Sequence, residues 1–306
     1  MGIDTKIIDG TLLSKEIRTK LKNDVIELNK TYKEVPHLVV LLIGNDPASE
    51  SYVKAKERAC KQIGIKSSLI KYENSITEEF LLDEISKLNK DKTVHGILVQ
   101  LPLPKHISQD SVIDHMSQIK DVDGLHPFNI SRLHTLRYSV LPCTPKGIIT
   151  MLKSENIEIE GKHAVVIGRS NLVGKPIAQL LLKENASVTI THRHTKDLQS
   201  ITKNADIVVS AVGKAKFVTK DMIKENAVCI DVGLSRVDGK LYGDFDFNNL
   251  IGHVAHISKA PGGVGPMTIT SLLENTIECF LNQKNNIKLW CCFIFGLLCF
   301  EFQILY

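Results

Sequence analysis

The chain has 306 residues, of which 43% are hydrophobic and 24% charged, with a net charge of +4. That length accommodates two ordinary domains with real cores, and the composition is that of a globular protein, not of a disordered or fibrous one. The positive balance is too weak and too dispersed for a nucleic-acid partner, and it suits a small anionic substrate.

Residues 11–30 carry Leu12, Ile17, Leu21, Val25 and Leu28 at three- to five-residue spacings, which predicts a helix. The apolar run HLVVLLIG (37–44) fits a strand buried on both faces. Ser49 is placed to cap the helix SYVKAKERACKQI, which stops at Gly64. A strand over 65–72, a capped amphipathic helix over 77–89, a strand over 96–104 stopped by prolines and a short helix over 108–116 follow. Residues 120–129 read as a polar loop. A helix then restarts over 143–155, with Thr144 as cap and Pro145 at its first position.

The alternation resumes with a strand at 163–167, a helix at 176–185, a strand at 187–191 and a short helix near 197–203. After these come a strand at 205–212, a helix at 219–225 and a strand at 227–233. Residues 236–244 form a hairpin with Asp238-Gly239 at its turn, and 268–283 form a long last helix. Strand alternating with helix predicts parallel α/β architecture.

The cysteines argue for a reducing compartment. Cys60, Cys143, Cys229 and Cys279 are scattered, and Cys291, Cys292 and Cys299 sit in an apolar tail. None has metal-ligand spacing, so neither a zinc site nor a disulfide framework is expected. The first residues lack the apolar stretch of a signal peptide, and Lys6 stands where a myristoylation motif wants Ser or Thr. In the tail, Leu289 to Phe300 is unbroken and apolar but shorter than the roughly 18 residues that a spanning helix needs. A membrane tether is the minor reading of that tail.

The stretch GKHAVVIGRSNLVGKP (161–176) reads as strand, tight turn and helix start. Such a turn aims N–H groups and a helix N-terminus at one point, which suits a phosphate. It departs from the usual G-x-G-x-x-G: Ser170 replaces the middle glycine, and Gly174 comes late. A serine hydroxyl can donate to a phosphate oxygen, and Arg169 adds charge. About 20 residues on, NAD binders place an acid for the ribose 2′-hydroxyl. Here the strand ends THRHT, and Arg193 occupies that region without a carboxylate. An arginine pairs with a 2′-phosphate, so NADP is the expected cofactor.

Tyr52 and Lys56 are four apart on one predicted helix and share a face. On their own they read as a routine surface pair. The helix follows a buried strand at the sheet edge where ligands bind, where a tyrosine can stack on a planar ligand and a lysine can move protons. Gln100 lies at the end of another strand at the same edge. Asp121 and Asp123 flank a loop, with Asp123 preceding Gly124, which turn chemistry alone would explain. PGGVGPMT (261–268) is a side-chain-poor loop that lets a ligand approach the backbone.

Together YVKAK (52–56), VQLPLP (99–104), DVDG (121–124), CTPKG (143–147), GRSNLVGKP (168–176) and PGGVGPMT (261–268) resemble the bifunctional methylenetetrahydrofolate dehydrogenase/cyclohydrolase family, in order and spacing, over about residues 3–284. The resemblance implies a two-domain α/β fold with a cleft between the domains. Residues 1–145 are then the folate-binding catalytic domain, completed by the helix 268–284. Residues 146–267 are the Rossmann-like NADP-binding domain, with a mainly parallel sheet. The tail 285–306 has no counterpart.

The resemblance further implies NADP-dependent oxidation of 5,10-methylenetetrahydrofolate and hydrolysis of the methenyl product to 10-formyltetrahydrofolate. One retained activity, or another NADP-dependent dehydrogenase of the same plan acting on shikimate-like acids, is the alternative. Lys56 is the implied proton shuttle, Tyr52 the stacking residue, Gln100 the residue that positions Lys56, and Asp123 the pterin ligand. Val53, Lys54, Ala55, Val99, Leu101, Pro261, Gly262, Gly263, Val264 and Gly265 complete the implied folate site. Thr144, Gly168, Arg169, Ser170, Arg193, Leu234 and Thr268 form the implied cofactor site, with no metal. A cytoplasmic homodimer serving one-carbon metabolism and purine biosynthesis is the corresponding setting.

Overall fold

A computed structural model of the protein describes residues 3–284. The apolar tail and its tether reading lie outside these residues. Two parallel sheets organise the chain, as the alternation predicts.

The first sheet has three strands in the order β3–β2–β4, namely Lys66–Tyr72, His37–Ile43 and Gly96–Val99. Every residue of β2 is buried, because helices cover both faces. Leu38, Val40 and Leu42 point into one core with Leu21, Val25, Cys60 and Phe280. Val39, Leu41 and Ile43 point into the other, with Leu81, Ile85 and Val112. The first core packs α1 (Gly10–Tyr32), α2 (Pro47–Ile63) and the last helix, α10 (Val264–Lys284). The second packs α3 (Glu78–Lys90) and α4 (Gln109–His115).

The second sheet has six strands in the order β1–β11–β8–β7–β5–β6, all parallel. Within it β5 (His163–Ile167) lies between the edge strand β6 (Ser187–Thr191) and β7 (Ile207–Ser210). Beyond β7 lie β8 (Val228–Asp231), β11 (His256–Ser258) and, at the edge, β1 (Lys6–Ile8). Residues 6–8, read with the first domain, therefore belong to the second sheet. The two halves are also joined by α6 (Cys143–Ser154), which lies against α10. Among the described residues no helix is long and apolar enough to cross a membrane.

Several expected boundaries move. Helix α2 begins at Pro47, and its cap is Asp46, whose Oδ2 accepts from the Ser49 N–H at 2.7 Å. Pro142, not Thr144, precedes α6, and no side chain caps that helix. The strand expected over 96–104 ends at Val99, and Leu101–Pro102 is a cis peptide in the turn beyond it. Part of the polar loop is helical, as α5 (Pro127–His134). The helix expected over 219–225 contracts to a single 3-10 turn, Lys220–Met222. The last helix starts at Val264, because Gly265 and Pro266 both fit a first turn that makes no intrahelical N–H bonds. The hairpin of β9 (Ser235–Val237) and β10 (Lys240–Tyr242) turns on Asp238 and Gly239, both at positive φ.

Candidate active site

The cleft forms where the C-terminal strand ends of both sheets meet. On the first-sheet side, α2 carries Tyr52 and Lys56. Lys56 is only 9% exposed, and its Nζ donates to Gln100 Oε1 at 3.0 Å. Gln100 is itself fixed: its main-chain N–H donates to Leu41 O at 2.9 Å and its Nε2 to Leu101 O at 2.7 Å. A half-buried glutamine amide is thereby satisfied, with its oxygen aimed at the amine.

Asp121 and Asp123 divide two roles. Asp121 is fully buried and organises the loop by accepting from the N–H groups of Gly124 and His126 and from Asn129 Nδ2, at 2.8–3.0 Å. Asp123 is left facing the lysine. Burial pushes its carboxyl up, the Lys56 charge opposes this, and Asp121 adds to it. Gly124 turns at φ +70, and a Cβ there would sit 2.5 Å from the Leu141 carbonyl carbon. Asn275 of α10 donates to Val122 O and Leu141 O, both at 2.8 Å, so the last helix holds this loop. Its Oδ1 accepts from the buried Lys146 Nζ at 2.9 Å. Burial works against the Lys146 charge, but Glu274 and Glu278 outweigh it and hold the ammonium above its ordinary value. Sequence reasoning missed Lys146 and Asn275. Both sit on helices, and only the fold brings them to the loop.

A cavity of about 560 Å³ opens beside this group. Tyr52 (45% exposed), Ala55, Leu234 and Pro261 to Gly265 line it. The loop is pinned from α1: the Thr11 N–H and hydroxyl both donate to Gly262 O, at 2.9 and 3.1 Å. Gly262 adopts φ +105, and a Cβ on Gly10 would lie 1.9 Å from Gly263 O. Backbone and backbone approach so closely that only glycine fits. Asp231, which sequence reasoning also missed, ends β8 in the same wall. It is 4% exposed and accepts from the Asp244 and Phe245 N–H groups. Burial pushes it up to about 7, those N–H groups oppose this, and the Asp244 charge adds to it. Its one sequence signal is an acid closing the apolar strand VCID.

Not every expected folate-site residue faces this space. Val53 and Val99 point into the two cores. Lys54 is exposed, 3.9 Å from Glu50. Leu101 contributes its carbonyl to Gln100.

On the other side of the cleft, the turn after β5 sits between β5 and β7, where the chain reverses direction across the sheet. Open parallel sheets bind ligands at such switch points. Gly168 takes φ +118 against Ala211, and a Cβ on Gly174 would meet Gly168 O at 2.3 Å. Ser170 Oγ accepts from the N–H groups of Val173 and Gly174, both at 3.2 Å, which starts α7 (Gly174–Lys183) and leaves the hydroxyl proton to donate outward. A cavity of about 780 Å³ lies alongside, lined by Gly168, Arg169, His192, Arg193, Lys214 and Phe217 among others, with no carboxylate in its wall. Lys214 was not anticipated. Thr144 and Thr268 meet across α6 and α10, with hydroxyls 3.0 Å apart. Among the described residues no cluster of His, Cys, Asp or Glu could hold a metal ion.

A parallel α/β fold with a phosphate turn at its switch point and a buried lysine across the cleft defines a two-lobed dinucleotide-binding protein. The family described as tetrahydrofolate dehydrogenase/cyclohydrolase matches twice, by its catalytic domain over residues 8–123 and by its NAD(P)-binding domain over 142–284. A curated relative from Bacillus cytotoxicus, "Bifunctional protein FolD", is 54% identical over 273 residues, covering 89% of this chain and 95% of its own. The crystal structure of the bifunctional FolD enzyme of Campylobacter jejuni superposes with a TM-score of 0.89 at 43% identity, covering 92% of this chain and all of that one. The Trypanosoma brucei dehydrogenase-cyclohydrolase, solved with NADP cofactor and inhibitor, does so with a TM-score of 0.88 at 35% identity, covering 92% and 99%. The chain belongs to the tetrahydrofolate dehydrogenase/cyclohydrolase family.

Proposed function

We propose that the protein is a bifunctional folate enzyme, oxidising 5,10-methylenetetrahydrofolate with NADP and hydrolysing the methenyl product to 10-formyltetrahydrofolate. The observation that carries this reading is the buried Lys56 Nζ, held 3.0 Å from Gln100 Oε1 beside the Tyr52 cavity. A cationic substrate beside an amine favours the amine's neutral, basic form. Lys56 then takes a proton from water as the new C–O bond forms at the methenyl carbon. It returns that proton to the ring nitrogen as the C–N bond breaks, and the carbinol hydroxyl releases its own proton to water as the formyl C=O forms. Gln100 positions the amine through both half-reactions, Asp123 binds the pterin, and Tyr52 stacks on the aminobenzoyl ring.

NADP, when bound, accepts the hydride. The residues present fit it: glycines at 168 and 174 admit close approach, Ser170 has a free hydroxyl proton, and Arg169, Arg193 and Lys214 face it without a competing acid. In this reading Arg193 holds the 2′-phosphate, Leu234 packs near the nicotinamide, and Thr144 and Thr268 close the cleft floor. A cytoplasmic homodimer supplying one-carbon units, including those for purine biosynthesis, completes the proposal on the family resemblance.

The test is to mix the protein with methylenetetrahydrofolate and either NADP or NAD, following reduced cofactor and the methenyl absorbance. Reduction with NADP well above that with NAD is expected, and no reduction with either cofactor sinks the dehydrogenase reading. Lys56→Met is expected to abolish hydrolysis of the methenyl compound. Surviving hydrolysis would remove Lys56 from its role.

A further inference from the structure

Two buried carboxylates of the second lobe, Asp231 and Asp244, take no part in the proposed chemistry. Asp244 is fully buried. Its Oδ2 accepts from Ser210 Oγ at 2.9 Å and from the Val212 N–H at 2.8 Å, and its Oδ1 accepts from the Lys214 N–H at 2.7 Å. One carboxylate thus gathers the two N–H groups that flank Gly213, which turns at φ +65. An N–H turned inward needs an acceptor, so the turn keeps this shape only around such a group. A Cβ on Gly233 would lie 2.0 Å from Asp244 Oδ1, so the carboxylate fits only against bare backbone.

The turn that Asp244 holds is part of the cofactor cavity. Val212, Lys214 and Phe217 all line it. Lys214 Nζ stands 4.9 Å from the centre of the Phe217 ring, a second hold on that side chain. Asp244 itself does not line the cavity. It is anchored from the folate side, where Asp231 walls the Tyr52 cavity and accepts from the Asp244 and Phe245 N–H groups at 2.8 and 3.1 Å. The Val218 N–H donates in turn to Asp244 O at 2.8 Å. Every donor to the two carboxylates is a hydroxyl or main-chain group, so they fix backbone geometry and do not neutralise a cation.

We propose that Asp244 is a positioning residue of the cofactor site, which holds the 212–214 turn so that the Lys214 ammonium meets the anionic cofactor. This inference rests on the functional reading above and adds to it a residue that touches neither substrate nor cofactor.

The experiment titrates NADP calorimetrically into the wild type, Asp244→Asn, Lys214→Met and the double variant, with a thermal melt of each. Lys214→Met is expected to weaken NADP roughly tenfold, as loss of one charge-assisted contact does. The amide of Asp244→Asn offers one oxygen where two accepted, so one N–H of the turn faces a donor. It is expected to cost a similar roughly tenfold, and the double variant no more than the larger single loss, because both act on one contact. Losses that multiply to roughly a hundredfold in the double variant overturn the proposal, as does undiminished binding in Asp244→Asn. In turnover, Asp244→Asn should raise the KM for NADP while hydrolysis of methenyltetrahydrofolate supplied directly falls far less. Equal losses in both would show a general structural role and overturn the positioning one. Should Asp244→Asn fail to fold, Ser210→Ala removes one donor from the same carboxylate. A few-fold loss of NADP affinity, absent in the Lys214→Met background, is then expected, and wild-type affinity overturns the proposal. A wild type that binds neither NADP nor NAD refutes the functional reading instead.

Discussion

Replacing Gln100 by leucine isolates the contact on which the proposed hydrolytic step depends. The substitution keeps the side-chain bulk and the main-chain bond to Leu41 O, and removes the oxygen 3.0 Å from Lys56 Nζ. A hydrogen bond from a charged donor contributes about 1.5–3 kcal/mol net, and here the donor is left buried without that acceptor. The remaining attraction is toward the Asp123 carboxyl, which draws the amine off its line to the substrate. At about 1.4 kcal/mol per tenfold in rate, cyclohydrolase turnover should fall roughly 10- to 100-fold. Hydride transfer needs no proton from Lys56, so dehydrogenase turnover should fall less than about tenfold on the same scale. Following loss of methenyl absorbance for one activity and its appearance with NADP for the other measures both, with a thermal melt confirming the fold. Equal losses in the two activities, or an undiminished cyclohydrolase, would refute the positioning role of Gln100.

Gly10→Ala places a methyl 1.9 Å from the Gly263 carbonyl oxygen, which is backbone and has little room to yield. Overpacking of this kind costs about 1–3 kcal/mol, so the melting temperature should drop and the KM for folate should rise as the 261–265 loop shifts. An unchanged melt and KM would show that the loop is not pinned there. Asp231 predicts a pH dependence. Its folded value of about 7 lies above the ordinary 3.8, so the fold favours the neutral acid. Stability from this group is greatest below about pH 4 and declines as pH rises to about 7, by up to ~4 kcal/mol at ~1.4 kcal/mol per unit. Denaturant midpoints at pH 5 and 8 should differ less in Asp231→Asn than in the wild type, and identical slopes would refute the assignment.

What the sequence made legible was local. The run 37–44 announced a doubly buried strand, Gly64 a helix end, and Asp238-Gly239 a hairpin turn, because each is decided by neighbours within a few residues. The misses have tertiary causes. Ser49 and Asp46 are both competent caps, and the fold selects the one that lets Pro47 take the first helical position. Thr144 looks like a cap until Thr268, far along the chain, occupies its hydroxyl. Three residues, Lys6–Ile8, make a strand only because β11 offers an open edge. In the site, Lys56 and Gln100 were readable only through motif resemblance, since an i,i+4 Tyr/Lys pair is common on helix surfaces. Which neighbours of Lys56 turn inward was a matter of helical phase. Val53 falls on the core side, and Ala55 on the cavity side.

The edge strand β1 ties the order of synthesis to the order of assembly. Lys6 pairs with His256, so among the described residues the second sheet joins the first strand to the last. That pairing encloses some 250 residues, and such distant contacts are made late because loop-closure entropy must be met first. A chain leaving the ribosome can fold β2 to β4 early, but β1 must wait, solvated, until β11 emerges. The strand's brevity and its exposed Lys6 and Ile7 suit that interval, since a short, polar-flanked edge is a poor template for pairing with another chain.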